Sequence, residues 1–382
     1  MHDRRRQCAP SSWGVLALVG VCLAGAGRAV AAPPAVGYRL GVILEPDTGE
    51  VRAQGVIRVE NRGAEPLSRL PLVLYPNRFG DLDPAITDVN VDRYYVRFYD
   101  WGSARLERIE RLGGGKLFTR PHPAPLPEGV AVEVVLDPPV APGEAVELSV
   151  DYSAYVPERL GSFGRHDGRW ILEGGWLPYV PAEDAAGVRD PRRPPAQAQY
   201  ALTLQVDWPQ PERPRAILLD GQPVQSGYTA RFEGASPSLA LGAKLHALAS
   251  APPGASAPGV RVYGSAGDTE RAARLVKLAQ EAGAWLRREY PESGEAPGEV
   301  VFVEAPLRDR NLVVADKTIF YSERIFGLFV LLEGLIEVEA WRGTMQSLIR
   351  QDLERVDLGG DRDWVTEALA WYAVQTWAQR RG

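Results

Sequence analysis

Histidine is scarce in this chain of 382 residues: there are four, His2, His122, His166 and His246, and none follows position 246. Cysteine is scarcer still, with Cys8 and Cys22 both close to the N-terminus. The C-terminal third therefore lacks the imidazole and thiolate donors from which tight zinc sites are usually built. A disulfide framework, which needs paired cysteines spread along the chain, is excluded by the same count. The sequence has no Cys-x-x-Cys pair and no Gly-rich phosphate loop. Positive charge is not in surplus, since 43 Lys+Arg face 49 Asp+Glu for a formal net charge of −6. Nucleic-acid binding would require a clustered basic face, and none is seen. Long apolar runs are missing too: Trp13 to Ala24 is too short for a good membrane span. No internal repeat is evident.

That short apolar run has a different reading. Arg4, Arg5 and Arg6 precede it, and Ala29-Val30-Ala31 follows with small residues at cleavage-site spacing. This order is that of a secretory signal over residues 1–31, and it implies a periplasmic or secreted protein with no stable membrane span after cleavage. Cleavage would remove both cysteines and leave a more acidic mature chain. Lipidation at Cys22 would want a small residue before it, and Val21 stands there.

Residues 36–250 read as β-rich. Tyr38 to Leu44 and Val51 to Glu60 flank the turn signal Pro46-Asp47-Thr48-Gly49, and Val130 to Leu136 and Ala145 to Tyr152 flank Pro138 to Gly143 in the same way. Tyr200, Leu202, Leu204 and Val206 alternate with polar or small residues, as in a half-buried strand. A small-residue stretch over 251–259 reads as a linker. Beyond it the pattern is α+β over 260–382. Asp268 is positioned to N-cap a helix from Thr269 to about Tyr290 with Leu275, Ala279, Ala282 and Leu286 on its inner face. Strands are expected over Val300 to Glu304 and Leu312 to Tyr321. Helix is expected from Ile325 to Arg355, broken near Gly343, and again from Trp364 to Arg380.

Several stretches carry a family likeness. Gly55 to Asn61, Leu70 to Phe79, Gly174-Gly175-Trp176-Leu177-Pro178 and the strand from Tyr200 into Asp207-Trp208-Pro209 resemble, in order and spacing, the N-terminal part of M1 aminopeptidases. Asp363-Trp364-Val365-Thr366-Glu367-Ala368-Leu369-Ala370-Trp371-Tyr372 resembles the helix that carries that family's third zinc ligand. The resemblance implies a saddle-like N-terminal β-domain followed by a truncated thermolysin-like domain, with Glu367 at the ligand position.

The departures from that pattern are chemical. The family's first two ligands come from H-E-x-x-H, two His one helical turn apart with the general-base Glu beside the first. Counting the family's interval back from Glu367 places Thr344, Met345 and Leu348 in the His, Glu and His slots. The family's Gly-x-Met-Glu-Asn loop is replaced by Leu312 to Lys317. The chain ends ten residues after Tyr372, where the family continues through a helical half-domain bearing a catalytic Tyr. That reads as either a natural short form or a piece of a longer protein.

Other candidates have plainer readings. Glu333, Glu337 and Glu339 lie in an otherwise apolar stretch, and Glu333 and Glu337 share a helix face. With Glu367 they would make an all-oxygen site suited to a hard cation; a solvated stripe, or pairing with Arg342 and Arg324, is the simpler expectation. His166-Asp167 reads as a turn, and Ser162 lacks the elbow of a nucleophile. Trp176, Trp208, Trp364 and Trp371 are expected in packing, with Trp176, Glu333 and Glu337 as candidate cleft residues. Arg189 to Pro195 reads as a basic, Pro-rich surface loop. The sequence thus implies an exported, catalytically inactive M1-like protein without a cofactor, binding peptide or protein or serving as an envelope part. The alternative is an M1 zinc aminopeptidase, or a piece of one, acting on peptide N-termini.

Overall fold

Alternation with a period of two sets the first elements. In strand β1 (Ala35–Glu45) Val36, Tyr38, Leu40, Val42 and Leu44 all point inward. The turn at Pro46 to Gly49 returns the chain as β2 (Glu50–Glu60), fully paired and antiparallel to β1. The structure is a computed structural model. It describes residues 34–381 apart from 82, 84–85, 124–125, 182, 185–186, 189–197, 208–215, 225–228, 235–236, 292–297, 327–332 and 354–361. The N-terminal segment read above as a secretory signal, with both cysteines, lies outside the described residues, as do Trp208 and the stretch from Arg189 to Pro195.

After β2 come β3 (Leu67–Val73), β4 (Ser103–Arg111), β5 (Phe118–Pro121), β6 (Ala131–Val140) and β7 (Ala145–Tyr155). Then follow β8 (Phe163–His166), β9 (Arg169–Leu172), β10 (Glu183–Asp184), β11 (Gly187–Val188) and β12 (Gln199–Val206). The first part ends with β13 (Ala216–Leu219), β14 (Gln222–Pro223), β15 (Thr229–Gly234) and β16 (Leu239–Gly242). Among the described residues a six-stranded sheet runs β15-β12-β1-β2-β7-β4, a five-stranded sheet β14-β13-β16-β9-β8 and a three-stranded sheet β3-β6-β5. The alternating strand at Tyr200 is β12, parallel to β1, and Tyr38 and Tyr200 face each other and stack at 4.3 Å. The hairpin expected across Pro138 to Gly143 is not one. Strand β6 continues through both prolines and belongs to a different sheet from β7, so the turn there carries the chain between sheets.

The second part is one sheet with helices. Strands β17 (His246–Ala251), β18 (Gly259–Gly264), β19 (Glu299–Ala305), β20 (Leu312–Ala315) and β21 (Thr318–Ser322) run in the order β17-β18-β19-β21-β20. Helix α1 (Thr269–Glu289) connects the parallel neighbours β18 and β19, as parallel pairing demands of its crossover. Helices α2 (Glu333–Asp352) and α3 (Arg362–Arg381) follow. The expected inner face of α1 is buried as read.

Two local expectations are corrected, and the expected N-cap is found in place. Residues 251–259 join β17 to its antiparallel partner β18 and so lie inside the second sheet. Pro258 from this stretch sits against α1, where a Cβ on Gly283 would lie 2.2 Å from the Pro258 Cδ. The same Pro/Gly composition that marks a linker also marks a tight connection. Helix α2 does not break at Gly343, which lies within it; a Cβ there would meet Ile319 and Leu312 at 3.3 Å. Asp268 occupies the N-cap position of α1 without a capping hydrogen bond, and its carboxylate pairs with Arg271 at 2.9 Å.

One apolar core fills the first part, and another lies between the second sheet and its helices. A third joins the two parts: Ile171, Leu218 and Ala240 from β9, β13 and β16 pack with Val301, Val303 and Phe320 from β19 and β21. Pro33–Gly382 forms one compact unit.

Candidate functional site

The slots that the family likeness assigns to a zinc-binding helix lie on α2. Thr344 and Met345 are fully buried there and Leu348 nearly so, the two apolar ones within the core shared with α1 and the sheet. The Thr344 hydroxyl donates to the Ala340 carbonyl at 2.8 Å. Ser347 on the same helix donates to the Asp316 carbonyl at 2.7 Å. Glu367 is on the exposed side of α3, away from this packing.

Thr, Met and Leu supply neither imidazole nor carboxylate, and their side chains are committed to packing. Among the described residues no three His, Cys, Asp or Glu side chains come close enough to hold a metal. The residues present do not fit the family's zinc, and no step is routed through one.

Glu337 and Glu339 of α2 are paired with bases. Glu339 is buried and accepts from Arg342 Nη2 at 2.7 Å and from Asn311 Nδ2 at 3.2 Å. Glu337 pairs with Arg274 of α1 at 3.5 Å. Glu333 begins the helix; its side chain is outside the described residues.

Trp176 is corrected as a cleft residue. It is 0% exposed in the first core, with its indole N–H donated to the Pro237 carbonyl. Gly175 before it has φ +74, and a Cβ there would press on the Tyr75 ring at 3.0 Å. The Gly-Gly-Trp stretch thus turns the indole inward. Trp364 and Trp371 are corrected in the other direction: they are 70% and 41% exposed on α3. Trp371 has the Arg342 guanidinium 5.3 Å from its ring centre. The turn expected at His166-Asp167 is made by Asp167 and Gly168, with His166 the last residue of β8; Asp167 has φ +52 and is bonded to Lys244. Burial holds the His166 imidazole below its ordinary value.

A cavity of about 190 Å³ opens elsewhere, lined by residues between Tyr75 and Tyr99, the segment Arg159 to Phe163, Glu173, and Asp309-Arg310 ahead of β20. Its walls are aromatic and charged. The Arg159 guanidinium stands 4.3 Å over the Phe79 ring and within 6 Å of Tyr94 and Tyr95. Arg159 Nη1 donates to the Phe163 carbonyl at 3.0 Å. Tyr99 donates to the Phe79 carbonyl at 3.2 Å and packs on Tyr95 and Trp101. Burial raises the Tyr95 and Tyr99 phenols, so both stay protonated donors. Sequence reasoning passed over this site. Its signal was the run Tyr94-Tyr95-Val96-Arg97-Phe98-Tyr99-Asp100-Trp101, too rich in aromatic rings for an ordinary loop.

No family model matches the chain, and no curated protein does. Among solved structures it is similar to the crystal structure of an M1 zinc metallopeptidase from Deinococcus radiodurans. The TM-score is 0.52 and the identity 17%, over 91% of this chain and 70% of that one. A point mutant of that enzyme bound to a Tyr-Ser-Ala substrate gives a TM-score of 0.51 at 18% identity, over 91% and 71%. The chain has an M1-like fold: mostly β, in several sheets with few helices.

Proposed function

We propose that the chain is an exported, peptidase-like protein that does not cleave peptides and instead binds peptide or protein. On this reading the first part corresponds to the family's saddle domain and the second to a shortened thermolysin-like domain. One observation carries it: in the slots that the sequence resemblance, counted back from Glu367, assigns to two ligand His and a general base, Thr344, Met345 and Leu348 stand as buried side chains. Catalytic zinc needs three protein ligands and an open position for water, and Glu367 is at most one of the three. Binding is supported by the aromatic cavity, whose two sides come from the two parts of the chain. Fold likeness alone favours the second reading, an active zinc aminopeptidase, and fold does not fix function.

The test is direct. Purified full chain is incubated with an aminoacyl reporter amide, with and without added zinc. Turnover at the level of the blank is expected. Zinc-dependent turnover that disappears in Glu367→Ala would establish the second reading instead.

A further inference from the structure

Among the described residues Arg159 is a cation without a counter-charge. Among the described residues no carboxylate lies within ion-pair distance of it, although its neighbours on the cavity wall are paired: Arg78 with Asp83 at 3.7 Å and Arg310 with Asp309 at 2.9 Å. Its Nε is buried and meets no acceptor. The guanidinium is nevertheless held in place, by the Phe79 face at 4.3 Å and by the Phe163 carbonyl. A guanidinium fixed in this way has spent its side-chain entropy before any ligand arrives. Of the acidic residues on the wall, Asp81 is exposed, and Glu173 already has a partner.

The rings give the site a direction. Tyr95, Tyr99 and Trp101 pack in series, at 4.7 and 4.4 Å between centroids, from the cavity toward solvent. Trp101, the last ring of the series, is 54% exposed, and Phe98, next to Tyr99 in the chain, is 85% exposed. Apolar surface beside a charged pocket marks a ligand with both characters. The cavity is smaller than a drug-sized site, so it suits one terminal group and not a whole ligand.

We propose that this cavity captures the C-terminal carboxylate of a peptide, with Arg159 as its counter-charge and the Tyr95-Tyr99-Trp101 series under the apolar side chains that precede the terminus. The proposal rests on the peptide-binding reading above and names which end of the peptide is held. Carboxylate capture by a fork of N–H donors is strong and directional.

The experiment is titration calorimetry on the full chain with N-acetyl-Ala-Phe as the free acid and as the C-terminal amide. An amidated peptide with an internal Glu separates a side-chain source of carboxylate from a terminal one, and acetate alone tests for simple anion binding. The free acid is expected to bind on the order of tenfold more tightly than the amide, an increment fitting one charge-assisted contact. Arg159→Met should erase that preference, and Arg159→Lys should keep part of it. Equal binding of acid and amide overturns the proposal while leaving peptide binding intact, and so does a preference that survives in folded Arg159→Met. A preference for the internal-Glu peptide, or acetate competing as well as the acid, also overturns it. If neither peptide binds, the peptide-binding reading falls with it. Should Arg159→Met fail to fold, the acid-to-amide ratio in the parent chain and in Arg159→Lys decides.

Discussion

Arg169 on β9 and Glu304 on β19 form a buried ion pair at 3.0 Å, with side chains 6% and 4% exposed, between the two parts of the chain. The network extends from there. Arg169 Nη2 reaches Glu323 at 3.1 Å, and Arg308 bonds the same carboxylate. Glu304 also accepts from the Ser265 backbone N–H at 2.8 Å and from its hydroxyl at 2.9 Å. Such a network fixes register between packed sheets better than it adds net stability, because desolvating the charges offsets most of their attraction.

Removing one partner leaves the other buried and alone. Arg169→Met or Glu304→Leu should each lower stability by about 3–5 kcal/mol. The double variant should lose distinctly less than the sum of the two. Denaturant unfolding of the three proteins measures this, and additive losses would show that the pair is not coupled.

Glu323 makes the same junction acid-sensitive. Burial alone would raise its carboxyl, but the hydrogen bonds and charges of Arg308 and Arg169 outweigh that and hold it below its ordinary value. A depressed folded value means that its stabilisation is present above the unfolded value, about 4.3, and is lost as pH falls through the folded one. Glu323→Gln should therefore be less stable than the parent at pH 7, and the difference should shrink below about pH 4. Melting temperatures across that range test it; a difference that widens in acid would contradict it.

Close approach governs Gly283. Alanine is ordinarily better than glycine in a helix interior by about 0.8–1 kcal/mol. Here a Cβ would strike Pro258, so Gly283→Ala should destabilise the fold instead, by about 1–3 kcal/mol. A rise in melting temperature would mean that the 251–259 connection moves aside freely.

Met345 and Glu367 should respond oppositely to substitution. Met345→Ala should cost about 2–5 kcal/mol through the cavity it leaves. Met345→Glu should cost more, because it buries an unpaired carboxylate. Glu367→Ala, on an exposed helix face, should change stability by no more than about 0.5 kcal/mol. Comparable losses at the two positions would show that α3 is packed differently from the arrangement described.

Much of the fold was legible because period and burial coincide. The alternation at Tyr38 and Tyr200 gave two strands of one sheet, and the steps from Leu275 to Leu286 gave the inner face of α1. Pairing was harder to read: the run from Val130 to Tyr152 has hairpin punctuation, yet its strands enter different sheets, a choice made by distant partners. Gly343 looked like a break because local propensity cannot see the close packing that favours a small residue there. The cavity was least legible. Arg159 looks like one more surface base in the sequence, and only the folded arrangement shows that it has no carboxylate partner among the described residues.

Zinc stoichiometry tests the central claim most directly. The full chain, purified without chelator, equilibrated with zinc and dialysed, is analysed for metal per chain. The account predicts far less than one zinc per chain, unchanged in Glu367→Ala. About one tightly held zinc per chain, lost on that substitution, would contradict it.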